Sequence, residues 1–545
     1  MPIFKKKESK KDKELLKKLI NKRDLAKKYR ESTGWDDRCT RAWNYYYYGT
    51  AEDLNDATLL TKKKRYANYV FSNIESIIPK IFDRFPGFQV LPRGEEDVEK
   101  APVVEDVLKY KTERAELEDK YEYTVRDMLV PGFGVLKITW GFVGDVKGDD
   151  VSVEEDDVRI ETIDPKNFWI TAGDSRLGYA DGCFERMYVH PEVAEKRYGK
   201  KLKPEYTLVK DQKENLKGEA ERCIIWQYSG RIGDKVKMWT FTDEELLSTT
   251  EMYEHGQKPY VILPNYRTST EFYGLSEVFE IEPLQEALTE IDKQFSQFRK
   301  RAINPKKFVK TGALDEINMS RLKDPRINVI EMKEPGGVAW EQPGMIGQDL
   351  YNIRLNTKED IGLITGQSEI SRGGTERTVK TATGQQILFD AAQSRVRQKT
   401  RALKLAVKQT LTQIQGLMAQ YMDKEDVVKM RDGGENPFAK YTKEDIQGNF
   451  DYLIDMVEAA PFLREKRGQL SMEAYRMFKD DPDVDQKALK KKVLKTSFGD
   501  INAEELVLEE PQAEEIEITE QGPPMPPMGE QQMASLLGNV PLQQA

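Results

Sequence analysis

The chain has 545 residues, 38% hydrophobic and 33% charged, with a formal net charge of −9, which is long enough for several hydrophobic cores. No apolar run approaches the roughly 20 residues of a membrane-crossing helix. Two histidines, His190 and His255, and three scattered cysteines, Cys39, Cys183 and Cys223, leave little material for histidine acid–base catalysis, a zinc site or a disulfide framework.

Residues 1–30 are lysine-rich with a narrow stripe of Leu15, Leu16, Leu19, Ile20 and Leu25, and read as a peripheral helix without the apolar core of a secretory signal. The aromatic cluster WNYYYYGT (Trp43 to Thr50) suits either a base-stacking platform or core packing, and core packing is the favoured reading. Helices are expected over 62–85 and, as one long element, over 95–128, where Val104, Leu108, Leu117, Tyr121 and Leu129 keep three- and four-residue spacing. GVLKITWGF and VRIETIDPKNFWI, with a turn at Asp164-Pro165, alternate like strands, and RCIIWQY, KVKMWTF and YVILPNY extend them into what reads as one antiparallel sheet. Helices followed by strands give an α+β pattern.

Beyond Tyr273 the pattern turns to long helices. Leu284, Leu288, Ile291, Phe295 and Phe298 form one apolar stripe in a helix expected over 274–301, about 40 Å long. An excursion from Ile303 to Met345, punctuated by Asn304-Pro305, Asp324-Pro325, Pro335-Gly336-Gly337 and Pro343-Gly344, carries short strands before a return helix. A Gly/Thr-rich basic loop then opens into a helix on which Leu388, Ala392, Val396, Leu403, Val407, Leu411, Ile414, Met418 and Tyr421 hold helical spacing over about 50 Å. A turn, a strand at DYLIDMVEA, a lysine-rich helical region over 464–498 and an acidic, then Pro/Met-rich tail from Asp500 complete the chain. The tail reads as disordered.

No catalytic constellation emerges. The Gly/Thr loop lacks the glycine spacing of a phosphate-binding loop and a preceding parallel strand. Asp156-Asp157 and Glu154-Glu155 could hold Mg²⁺, but in a chain with 94 carboxylates they read as a solvated loop. What remains is charge placement. Lys293 to Lys310 holds seven Lys/Arg and no acid, and Arg377 to Lys408 holds eight against Asp390 alone. A charge run is usually a solvated face, but two of them bracketing one excursion point to a phosphate-facing surface.

This order of parts resembles the portal proteins of tailed bacteriophages over roughly residues 40–500. The resemblance is carried by MLVPGFGVLKITW, IDPKNFWITAGDSR, FYGLSEVFEIEPLQEALTEIDKQFSQF and RTVKTATGQQILFDAAQSRVRQKTR. It implies an α+β portal fold whose copies form a ring with a central channel. The implied divisions are a lysine-rich N-terminal helix at 1–30, a wing at 31–273, a first stem helix at 274–302, a clip at 303–346 and a second stem helix at 347–366. A tunnel loop at 367–380, a long wing helix at 381–425, a β hairpin and crown-like region at 426–499 and the tail at 500–545 follow. The two ends match no assigned part of the family.

The implied function is a non-enzymatic channel at one capsid vertex for packaging and ejecting double-stranded DNA. The implied partners are other copies of the chain, twelve by family expectation, the terminase large subunit, head–tail adaptor or tail proteins, and the major capsid and scaffolding proteins. The implied location is the virion, after synthesis in the host cytoplasm. No membrane, cofactor or metal is expected. Arg372, Arg377 and Lys380 are the expected DNA-facing cations of the tunnel loop, where a few charges guide phosphates without holding them. Gly373-Gly374 would give that loop freedom, and Thr381 or Thr383 would cap the helix after it. Lys306, Lys307, Lys310, Arg321 and Arg326 are the expected clip contacts. The alternatives are a nonspecific DNA-binding scaffold protein that forms no closed ring, and a nuclease with a carboxylate metal site.

Overall fold

The computed structural model describes residues 10–50, 67–82, 85–147, 150–171, 173, 176–178, 180–207, 221–233, 235–303, 305–323, 331, 333, 336–340, 347–366, 394–422, 426–429, 438–455, 471–479, 486–487, 489–490 and 493–494. It divides into a unit of Met1–Ala459 and a unit of Ala460–Ala545. The architecture is α+β.

Three helices open the first unit: α1 (Lys10–Ser32), α2 (Trp35–Tyr48) and α3 (Tyr69–Ile81). Gly34 and Gly49 take left-handed backbone at the two ends of α2, as glycine does without steric cost. Strand β1 (Gly87–Pro92) precedes α4 (Lys100–Arg114) and α5 (Leu117–Leu129). The single helix expected over 95–128 is therefore two, broken where Glu116 adopts φ 49°. No glycine or proline marks that break. All five residues of the predicted stripe, from Val104 to Leu129, are nonetheless buried.

The strands are β2 (Phe133–Lys147), β3 (Asp150–Ile163), β4 (Phe168–Ile170), β5 (Gly182–Val189), β6 (Tyr206–Thr207), β7 (Glu221–Ile232), β8 (Lys235–Phe241), β9 (Leu246–Met252) and β10 (Tyr260–Pro264), with α6 (Pro191–Tyr198) after β5. They form two antiparallel sheets rather than one: β10-β2-β3, and β4-β5-β7-β8-β9 with β6 on β7. The Asp164-Pro165 turn makes the division. Asp164 accepts from Lys166 N at 2.9 Å, a 3₁₀ turn follows over Pro165–Asn167, and β4 leaves to pair with β5. A buried polar cluster ties the sheets together. Lys137 of β2 reaches Glu185 of β5 at 2.6 Å and Gln227 of β7 at 2.7 Å, and Tyr260 of β10 donates to Glu185 at 2.7 Å.

Helix α1 is not peripheral. Leu16, Leu19 and Ala26 pack with Trp169, Phe184, Trp226, Tyr228, Trp239 and Phe241 of the larger sheet. Its cations lie over the same rings, with Arg30 4.0 Å from the Trp169 centroid and Lys27 4.4 Å from that of Trp226. The lysine-rich start thus covers an aromatic face that cations recognise.

The chain continues with α7 (Glu277–Ile303), β11 (Lys307–Val309), α8 (Glu316–Lys323), β12 (Val338–Trp340), α9 (Gln348–Thr365) and α10 (Ser394–Tyr421). Hairpin β13 (Asp426–Lys429) and β14 (Phe438–Tyr441), the short α11 (Lys443–Ile446) and β15 (Phe450–Asp455) end the unit, and β15 returns to pair with β1. Helix α10 runs through the main core, where Leu403, Val407, Leu411, Ile414 and Met418 are fully buried. Tyr121 and Thr410 share a buried hydrogen bond of 2.8 Å across it. In the second unit residues 471–478 are helical, and Gln486 donates to Phe478 O at 2.8 Å. The tail from Asp500 lies outside the described residues.

Candidate functional site

Helices α7 and α9 form an antiparallel pair. Arg354 of α9 bonds Asp292 of α7 at 2.8 Å, and the Phe295 and Tyr351 rings meet at 4.9 Å, contacts that advance along one helix as they retreat along the other. At its root the pair is built into the fold. Ser276 caps α7 by accepting from Val278 N at 2.9 Å, Gln285 accepts from Tyr69 N at 2.9 Å, and Thr365 donates to Asn73 Oδ1 of α3 at 3.3 Å. Arg41 and Tyr45 of α2 reach Glu282 and Glu286 of α7.

A buried ion pair fixes the root from the other side. Lys399 of α10 lies 2.6 Å from both Glu277 Oε2 and Asn265 Oδ1, with side chains about 3% exposed on Lys399 and Glu277. Its ammonium also sits 3.9 Å from the Tyr266 ring centroid. Glu277, in the first turn of α7, faces the positive end of the helix dipole as well as this cation. The pair thus joins α7, α10 and the end of β10. Beside it two glycines touch: a Cβ at Gly132 would lie 2.3 Å from Gly274 O, and one at Gly274 would lie 2.4 Å from Gly132 O.

The far end of the pair is solvent-exposed. Lys293, Gln294, Gln297, Arg299, Lys300, Arg301 and Ile303 are exposed on α7, and Tyr351, Ile353 and Leu355 on α9. In the excursion, β11 and β12 pair antiparallel, and α8 buries Leu322 while leaving Arg321 exposed. Of the predicted contacts, Lys306 and Lys310 are exposed. Lys307 instead donates to Leu322 O near the end of α8, which gives it a structural task. Arg326 lies outside the described residues, as do Arg372, Arg377, Lys380, Thr381 and Thr383.

The basic run on α10 splits by face. Arg397, Arg401 and Lys404 are exposed at spacings of four and three, and Lys408 extends the stripe to 3.5 Å from Asp451. Lys399 belongs to the opposite, buried face, so one of the eight cations counted there is committed to the core. Among the described residues no group of three or more His, Cys, Asp or Glu could hold a metal ion, and no helix is long and apolar enough to cross a membrane.

Residues 230–480 match the family model described as "Phage SU10 portal protein", a span that takes in the helix pair, the excursion and α10. Over that span the chain is similar to phage portal proteins. That family is structural rather than catalytic. Two solved chains, titled "Virion of native gene transfer agent (GTA) particle" and "Neck of native GTA particle computed with C12 symmetry", are similar at 12% identity and a TM-score of 0.37. Each alignment covers 78% of this chain and 89% of the other, and likeness at that level carries no argument. No curated protein matches the sequence.

Proposed function

We propose that copies of this portal protein close into a ring at one capsid vertex of a virion, twelve by family expectation, and that double-stranded DNA is packaged and ejected through the central channel. Wing, stem, clip, tunnel loop and crown take the boundaries drawn from the sequence. The clip docks the terminase large subunit and afterwards head–tail adaptor or tail proteins, and the outer surface meets the major capsid and scaffolding proteins.

The observation that carries this reading is the α7/α9 pair. It is locked at its root by a buried ion pair, and away from the root it exposes Arg299, Lys300, Arg301 and Ile303 on α7 and the apolar residues Ile353 and Leu355 on α9. Exposed aliphatic side chains on a projecting helix pair suit burial against a neighbouring copy. Arg372, Arg377 and Lys380, in the segment of sequence between α9 and α10, are the DNA-facing cations of this proposal, because belts of a few charges guide phosphates without arresting them.

Negative-stain images and a solution mass test the ring, with the expected mass near twelve times 62.9 kDa, about 0.75 MDa. Subunits that stay monomeric even with capsid and scaffolding proteins present would favour a DNA-binding scaffold without a closed ring. In the triple variant Arg372→Ala, Arg377→Ala, Lys380→Ala, rings form as in the parent while packaging or genome retention falls. Normal packaging and retention in that variant would remove the tunnel-loop assignment.

A further inference from the structure

One cavity lies apart from the α7/α9 pair. Residues Thr40, Trp43, Asn44, Tyr47 and Tyr48 of α2, Asp127 of α5, and Asp164 and Lys166 of the turn after β3 enclose a volume of about 340 Å³. Successive turns of α2 put its five residues on one helical face. Trp43 and Tyr47 stack with centroids 5.4 Å apart and planes within 18°, which makes a flat aromatic wall. Opposite stand two carboxylates. Asp127 has no hydrogen bond or ion pair among the described residues, and the Asp164 carboxylate accepts from the Lys166 backbone N–H. Burial first, and the Asp164 charge second, push the Asp127 carboxyl up to about 8. Lys166 lines the cavity but, among the described residues, forms no ion pair with either carboxylate.

The shape decides which cation. Among the described residues no group of three or more His, Cys, Asp or Glu could hold a metal ion, and an aromatic wall offers a metal no ligand. An ammonium is compact and strongly hydrated. A guanidinium is planar and weakly hydrated, stacks on aromatic faces and takes a carboxylate at its edge. The rim is also that of a protein contact. Tyr47 of the lining is exposed, as are Phe71 and Tyr123, joined through Tyr46, Glu75 and Arg126: the Phe71 and Tyr46 rings meet tilted at 5.3 Å, Tyr46 donates to Glu75 at 2.5 Å, and Arg126 bonds Glu75 at 3.2 Å and lies 5.9 Å from the Tyr123 ring. Exposed aromatics concentrate at protein interfaces.

We propose that the cavity between α2, α5 and the Asp164 turn is a socket for an arginine side chain of a neighbouring copy of this chain, its guanidinium laid on Trp43/Tyr47 and paired with Asp127 and Asp164. The neighbouring copy rests on the ring reading, while the guanidinium chemistry stands on the cavity alone.

The test titrates Nα-acetyl-arginine amide into the purified full-length protein, following the part of the tryptophan fluorescence that Trp43→Phe removes. Its uncharged isostere, Nα-acetyl-citrulline amide, is the control. The expected result on unassembled subunits is saturable binding of the arginine compound at millimolar concentration, at least tenfold weaker in Asp127→Asn, and none of the citrulline compound. Assembled rings should not respond, and Asp127→Asn should raise the concentration needed for assembly at least tenfold. Equal responses to arginine and citrulline overturn the socket. Rings that bind arginine as subunits do, or that form normally in Asp127→Asn, overturn the neighbouring copy while leaving the portal reading intact. If no rings form at all, it is the ring reading that fails, and the arginine–citrulline comparison on subunits still decides the socket.

Discussion

The two ends of the α7/α9 helix pair use charge in opposite ways. At the root, Glu277 and Lys399 are buried and held to each other and to Asn265 at fixed distances. Away from the root, Arg299, Lys300 and Arg301 are exposed on α7, and so are the apolar Ile303 of α7 and Ile353 and Leu355 of α9. A buried pair costs desolvation on both ions, and what it supplies is one geometry, because every displaced arrangement leaves a charge unpaired. An exposed cation costs little and fixes nothing in the subunit by itself. Position is thus set at one end, and the other end is the one proposed to meet partners.

The largest effect should come from breaking the root. Lys399→Met leaves Glu277 buried without its cation and should destabilise the subunit by about 3–5 kcal/mol, read as a lower urea midpoint at unchanged slope. A loss below about 1 kcal/mol would mean that water reaches the junction and that the two ends are less different than drawn.

An intermediate effect belongs to the turn that α10 holds at Gly416. A Cβ at Gly416 would meet His255 at 2.9 Å, His255 stacks on Tyr253 at 5.2 Å, and its Nδ1 accepts from Gln257 N at 3.2 Å. Burial lowers its pKa from 6.5 to about 4, so the folded state keeps the ring neutral. The unfolded chain binds a proton first as pH falls below 6.5, so stability is full above that value and declines toward pH 4, by up to about 3 kcal/mol. Thermal midpoints between pH 4 and 7.5 should show a shallower decline in His255→Gln than in the parent. Identical slopes would place the acid sensitivity elsewhere.

The smallest effect on the subunit should come from the exposed end. Ile353→Ser should change subunit stability by less than about 0.5 kcal/mol, as exposed substitutions do, yet weaken assembly. A clear loss of subunit stability would show that Ile353 packs within its own chain.

Periodicity made the core of α10 legible: Leu403, Val407, Leu411, Ile414 and Met418 are buried where the 3.6-residue repeat puts them. The same repeat separates Lys399 from Arg397 and Arg401, since two residues turn a helix by about 200°, but counting charges along a segment hides this. The aromatic run shows the limit in miniature. Tyr45 and Tyr46 are buried and Tyr47 is 60% exposed, so WNYYYY is core on one face and surface on the other. Strand alternation predicted strands but could not assign neighbours, and the Asp164-Pro165 turn sent β4 into a second sheet. The break at Glu116 leaves no mark in composition, because only tertiary packing selects its left-handed backbone. Of the expected site, Lys306, Lys310 and Arg321 are exposed, whereas the Lys307 amine is held by a carbonyl that no local pattern announces.

The contact between Gly132 and Gly274 sets an angular tolerance. Each glycine leaves no room for a methyl group against the other's carbonyl oxygen, and Gly274 stands three residues before α7 begins. A side chain at either position would act as a wedge at the pivot of a lever about 40 Å long, so a tilt of about 5° at the glycines would move the far end by about 3.5 Å. That is close to the width of one side-chain contact. Repeated around the proposed ring, such an error would open a gap or force an overlap at every seam, so an alanine there would leave the subunit folded and the circle unable to close.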